Sequence, residues 1–331
     1  MVGSETASAA AGTVSEPLLS TESTKSKSGR QDTTPLPPPP TPQDILRGAD
    51  GWSQERVNQL IEAGTIRLDW LPDMRGVAPS HLQIQNEHQR EMLRFSNCIA
   101  NTGANNLQVR RGRPLDPSSL ADRQLIDYAV SLGLDPTEVA VTSQELLDQN
   151  GQLTAVVSDA ALSEYHPDHK HFHIGETAGF RLERRSADGA SWDPITGREV
   201  VKTTFCLIDI NKIQQVSPDN PDLYDVVKSP ANQNLYNDCF ADVQGIQAGW
   251  MDRYTHSLPG QEVDVTDLEA GVYRVVNIVN PSHWFLESNF ENNIGWTSFS
   301  LSRDSNGNAL LRELEGGVGG VWFQQTPNGM G

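Results

Sequence analysis

At 331 residues with 37% apolar composition, the chain has room for one large domain or two modest ones and is too polar to be packed throughout. Its net charge of -18 argues against nucleic-acid backbones and anionic membrane surfaces, which are bound through basic patches, and would concentrate cations, amines included. No run approaches the roughly 20 apolar residues of a membrane span, and the first thirty residues offer only "PLL" where a secretory signal needs about 7 to 15, so no signal peptide is visible.

The predicted elements begin with a tail. Residues 1–47 are rich in Ser, Thr, Ala and Pro, lack aromatics and end in "PLPPPPTP", so they cannot bury enough apolar surface to offset their ordering entropy. A helical connector over 48–70 contains "SQERVNQLIEAG": Ser53 caps it, Val57, Leu60 and Ile61 share a face, and Gly64 ends it. From residue 71 to 303 short β-rich runs dominate: "LQVRRGRP", "FRLERRS", "VVKTTFCLIDI", "QEVDVTDL", "GVYRVVNIVNP" and "IGWTSFSLS", each bounded by Gly, Pro, Asn or Asp. "SSLADRQLIDYAVSLGL" and "TSQELLDQ" read as interrupting helices. Residues 304–331 form a glycine-rich, loosely held end whose Trp322 and Phe323 can dock back. The fold class is mainly β: an irregular β-sandwich with long loops and a few short helices.

"YHPDHKHFH", residues 165–173, gathers His166, His169, His171 and His173. On a strand His169, His171 and His173 leave one face, and three imidazoles on one face suit copper or zinc. Same-face neighbours on a straight strand stand roughly 6.6 Å apart, whereas nitrogens about 2 Å from one metal lie within about 4 Å of each other. The segment must therefore bend, and Pro167 and Gly175 flank it. Asp168 and Glu176 add carboxylates. A solvated polar strand does not explain the repeated use of imidazole. "HExxH" and "HxHxDH" are both absent, and Cys98, Cys206 and Cys239 contain no short pair, which excludes a zinc ribbon. A metal-dependent hydrolase and a non-catalytic metal-binding module remain open on the histidines alone. Further on, "ESNFENN" offers Glu287, Asn289, Asn292 and Asn293, hard oxygens that suit calcium or simply form an Asn-rich turn.

"EYHPDHKHFHIGE" resembles the copper-binding segment of the lysyl oxidase family. The resemblance continues in order through "LPDM", "MLRFSNCIANTGANNLQV", "KTTFCLID", "GWMDRY", "DVTDLEAGVYRVVNIVNP" and "ESNFENN", covering about residues 70 to 302. It implies His169, His171 and His173 as copper(II) ligands, with His166 just outside them. Lys202 and Tyr254 match the pair that such enzymes join, with copper and O2, into lysine tyrosylquinone; Tyr254 stands twelve residues before Thr266, the family's own interval. The implied activity is oxidation of primary amines, of lysyl peptides or small molecules, to aldehydes with release of peroxide and ammonia. Asp252 is the favoured base, with His256 and Glu176 behind it.

By the same resemblance Asp73 and the Met74 backbone join Glu287, Asn289, Asn292 and Asn293 around calcium, and the protein is secreted. Cys206 keeps a family position without its local partner, which pairs it with Cys239 and leaves Cys98 as a buried free thiol. The chain departs from animal members in having too few cysteines for their disulfides, in Asp168 where they have cysteine, and in Phe180 where they have histidine. Its segment 116–160 is much longer than theirs and is a candidate cover for the site.

Overall fold

In the computed structural model the described residues are 41–48, 50–119, 122–131, 133–166, 170–200, 204–213, 215–216, 233–317 and 321–322. His169 and Lys202 lie outside them, as do Asp168, Phe323 and residues 1–40. The elements in chain order are β1 (Gln43–Ile45), α1 (Gln54–Glu62), β2 (Met74–Gly76), β3 (Ser80–Glu87), β4 (Arg90–Asn101), β5 (Leu107–Pro114), α2 (Arg123–Ser131), β6 (Val139–Leu147), β7 (Leu153–His166) and β8 (His171–Ile174). They continue with β9 (Ala178–Arg185), β10 (Trp192–Val200), β11 (Asn211–Lys212), β12 (Gln215–Val216), β13 (Val243–Ile246), β14 (Trp250–Tyr254), β15 (Glu262–Asp264), β16 (Gly271–Val279), β17 (Ile294–Arg303), β18 (Ala309–Gly317) and β19 (Val321–Trp322).

The expected mainly β class is what forms, with the strands divided among several sheets. One sheet runs β1-β7-β6-β5-β13, with β8 added to β7; a second runs β10-β9-β16-β17-β18. The third runs β11-β14-β4-β15, with β2 and β3 also on β4, and β12 pairs with β19. A shared apolar core joins them: Leu93, Phe95 and Ile99 of β4, Ala155 and Val157 of β7, Phe180 and Leu182 of β9, and Phe299 and Leu301 of β17. Phe95 meets Phe180 edge-on with ring centroids 5.0 Å apart, Phe180 reaches Phe205 at 6.4 Å, and Phe205 reaches Tyr254 at 4.6 Å. This aromatic chain leads from the core to the candidate site.

α1 forms as its capping chemistry dictates. The Ser53 hydroxyl accepts from Arg56 N, Val57 and Leu60 are buried, and Gly64 takes φ 70° just beyond the end. Other expectations are corrected. Residues 43–47 belong to the fold rather than the tail: β1 lies parallel to β7, and Arg47 stacks 3.9 Å over the Trp284 ring while its Nε donates to Asp159 O. "TSQELLDQ" is mostly strand, not helix, because β6 is hydrogen-bonded on both sides by β5 and β7, and ladder pairing overrides local helix propensity. Residues 204–210 carry a single bridge, Ile174 to Phe205, instead of a continuous strand.

Residues 116–160 supply α2, β6 and the first half of β7. Beyond residue 303, β18 pairs with β17 from Arg303↔Ala309 to Trp296↔Gly317. Glycine there serves close packing: a Cβ on Gly317 would meet the Trp296 ring at 2.4 Å.

Candidate metal and tyrosine site

The histidines are assembled by a reversal of the chain. β7 ends at His166, β8 begins at His171, and the two residues are register partners. Lys170 between them takes φ 60° and donates its N–H to His166 O at 2.7 Å. The reversal brings His166 alongside His171. His171 Nε2 and His173 Nε2 lie 3.1 Å apart, close enough for one metal. The His166 ring stands 4.9 Å from that of His173, and the His171 ring 5.0 Å from it. His166, placed outside the ligand set by the resemblance, is thus as near His173 as His171 is. His173 is fully buried, and its Nδ1 lies 3.4 Å from Thr204 Oγ1, a contact that orients Nε2 toward His171.

The donor set fits a transition metal. His171 also lies within 4.8 Å of the sulfurs of Cys206 and Cys239, but these are bonded to each other, so the imidazoles are the available ligands. That disulfide is the pairing expected from the resemblance. Cys98 is free as expected, though partly exposed rather than buried as a residue; burial of its thiol still pushes it up to about 12.

The segment 204–206 connects the histidines to Tyr254. Ile174 N donates to Phe205 O at 2.7 Å and Phe205 N to Ile174 O at 3.0 Å, which lays this segment beside β8. On its far side Tyr254 Oη donates to Cys206 O at 2.9 Å, and the Tyr254 ring packs edge-on against Phe205. Tyr254 is buried; desolvation, and then the neighbouring Asp252, hold its hydroxyl well above the usual tyrosine range. Asp252 is 1% exposed and shares Tyr254's face of β14, where their partners on β4 are Ile99 and Asn97.

The weaker base candidates stand elsewhere. His256 packs against His81 with ring centroids 5.8 Å apart, and its N–H donates to Ser96 Oγ. Glu176, buried and at φ 61°, has its carboxyl raised by desolvation and opposed by Ser282 and Arg47. Phe180 occupies apolar core where the family's histidine is expected.

A second polar cluster surrounds Glu287, which is fully buried. Met74 N donates to its Oε2 at 2.7 Å, and the amides of Asn280 and Asn293 donate to Oε1 at 2.7 and 2.8 Å. Asn292 Nδ2 donates to Asp73 Oδ1 at 2.8 Å, which links Asp73 to the same cluster. Burial pushes the Glu287 carboxyl up to about 8 despite these hydrogen bonds. Asn292 Oδ1 and Asn293 Oδ1 are buried without partners among the described residues, so oxygen atoms suited to a hard cation are present. Asn289 departs from the group, its Oδ1 accepting from Glu291 N at 3.0 Å in a local turn. Gly103 admits the "NTG" loop here: a Cβ on it would meet Asp73 N at 2.3 Å.

Thr204, beside His173, carries no signal in the sequence. Asn97 carries one: it breaks the apolar alternation Leu93, Phe95, Ile99 on the core face of β4.

Converging imidazoles beside a buried tyrosine, on a mainly β scaffold, define a candidate metal-binding redox domain. Residues 157–306 match the lysyl oxidase family model. Over 135 residues it is 29% identical to human lysyl oxidase homolog 1, covering 40% of this chain and 19% of that protein. It is 30% identical over 137 residues to protein-lysine 6-oxidase of Rattus norvegicus, covering 40% of this chain and 26% of that protein, and equally to that of Sus scrofa, covering 44% of it. The matched region therefore spans less than half the length of these relatives.

Proposed function

We propose that this protein is a copper-dependent amine oxidase whose quinone is built from Lys202 and Tyr254. The observation that carries the reading is the segment 204–206: it bonds to the histidine strand through Phe205, holds Tyr254 through the Cys206 carbonyl, and follows Lys202 by two residues. When present, copper(II) supplies one-electron chemistry with O2 and the quinone supplies an electrophilic carbonyl for a primary amine.

The chain's own residues do the rest. His166, His171 and His173, with His169, hold the metal, and Thr204 fixes the His173 ring. The Cys206 carbonyl and the Phe205 ring orient Tyr254 and keep water from it. Asp252 takes the proton from the carbon bearing the substrate nitrogen. The products are an aldehyde, ammonia and hydrogen peroxide. The net charge of -18 favours cationic amines such as lysyl peptides or diamines. Asp73, Met74, Glu287, Asn292 and Asn293 hold calcium, which fixes the start of β2 against the loop before β17. The Cys206–Cys239 disulfide fits secretion into an oxidising compartment.

The test is a digest of protein matured with copper and O2. Peptides carrying Lys202 and Tyr254 should be cross-linked and stain for quinone. Separate, unmodified peptides would rule the reading out.

A further inference from the structure

Asn97 and Gln261 are 1% and 0% exposed, and both side-chain atoms of each lack a hydrogen-bond partner among the described residues. Four unsatisfied amide atoms in an apolar core are costly and call for a ligand that meets them. Their location indicates which. Asn97 is the register partner of Tyr254, and such pairs carry their side chains on one face with Cβ atoms about 5 Å apart. Phe95 N donates to Gln261 O at 3.1 Å and Glu262 pairs with Arg94, which puts Gln261 opposite Phe95, two residues along the same face. The rings of Phe95, Phe180, Phe205 and Tyr254 follow one another edge-on along this side of β4. That hydroxyl already donates to Cys206 O.

We propose that Asn97, with Gln261 beside it, is a receiving niche for the polar atoms that the Tyr254 ring gains when it is oxidised. The inference rests on the quinone reading above. Conversion bonds one new oxygen to a ring carbon and the Lys202 nitrogen to another; two O2 are reduced, to one water and one hydrogen peroxide, so atoms and electrons balance. A tyrosine ring offers these amides nothing at its edge, whereas a ring oxygen accepts from an amide N–H. The niche is thus mismatched to the unmodified chain and matched to the matured one. Both are positioning residues.

The experiment compares wild type, Asn97→Leu and Gln261→Met, each prepared without copper and then matured with copper and O2. Without copper, loss of the unmet amides should leave the melting temperature unchanged or raise it by roughly 2–4 °C. After maturation, the variants should bind copper as wild type does yet form quinone at least tenfold more slowly, or show a quinone absorption band displaced from that of wild type. Variants that mature at the wild-type rate with the wild-type band would overturn the niche while leaving the quinone reading intact. A large fall in the copper-free melting temperature of both variants would overturn it too, because the amides would then serve the unmodified fold. Wild type that forms no quinone at all would remove the quinone reading and this inference together.

Discussion

Replacing both Cys206 and Cys239 by serine tests how the site is held. The bridge closes a loop of 33 residues, and the chain-entropy relation gives about 3.7 kcal/mol for a loop of that length. For a domain of this size that corresponds to a fall of about 7–15 °C in melting temperature. Other anchors survive the change: Asp209 accepts from Leu235 N, Tyr236 N and Gln247 N, and Gln244 Nε2 donates to Cys239 O at 3.1 Å. The described segments at the two ends of the loop should therefore keep their place, with the loss residing mainly in the freed unfolded chain. Urea unfolding of copper-free protein would show a lower midpoint together with a steeper dependence on urea, since an uncrosslinked unfolded state exposes more surface. A loss under about 1 kcal/mol, or an unchanged slope, would refute the unfolded-state argument.

Three more outcomes are expected. His166→Ala and His171→Ala should lose copper to a similar degree, because their rings stand equally near His173; full retention in His166→Ala alone, read by metal analysis, would return His166 to an outer role. Burial alone would raise the Asp264 carboxyl, but hydrogen bonds from the Thr266 side chain and backbone, and Arg198, hold it at about 2. A depressed carboxyl contributes stability that is present above its unfolded value and lost as pH falls through about 2, so unfolding at about pH 4 and 2 should show a loss of at most about 2 kcal/mol that Asp264→Asn lacks. Calcium at a hundredfold excess over its dissociation constant should stabilise chelator-treated protein by about 2.7 kcal/mol, and Glu287→Gln should abolish that response; an undiminished response would move the calcium site elsewhere.

Local chemistry made α1 and the β5, β16 and β17 runs legible, since capping residues, alternation and turn residues lie within the segments themselves. It misled at "TSQELLDQ", where pairing with β5 and β7 decides, and at the two ends, where proline and glycine suggest looseness that the packing of Arg47 and Gly317 contradicts. The histidine cluster was visible as composition. That His166 comes to lie beside His171 was not visible, because the turn at Lys170 and the pairing of His166 with His171 are matters of register. Asn289 shows the same limit: its residue type suits calcium, but that its Oδ1 accepts from Glu291 N in a local turn is not written in the residue type.

β7 is paired on one side by β6 from Leu153 to Glu164, but on the other only in pieces: β1 pairs at Ala155 to Val157 and β8 at Ser163 to His166. Stripping away residues before Leu46 would bare the backbone N–H and C=O groups of a β-branched stretch, "TAVVS", as an unguarded sheet edge. The short parallel strand is a protective strip against self-association. Trimming the polar tail for expression or crystallisation should therefore stop before Gln43, and a shorter chain would be expected to aggregate through this edge while the fold around Tyr254 stays intact.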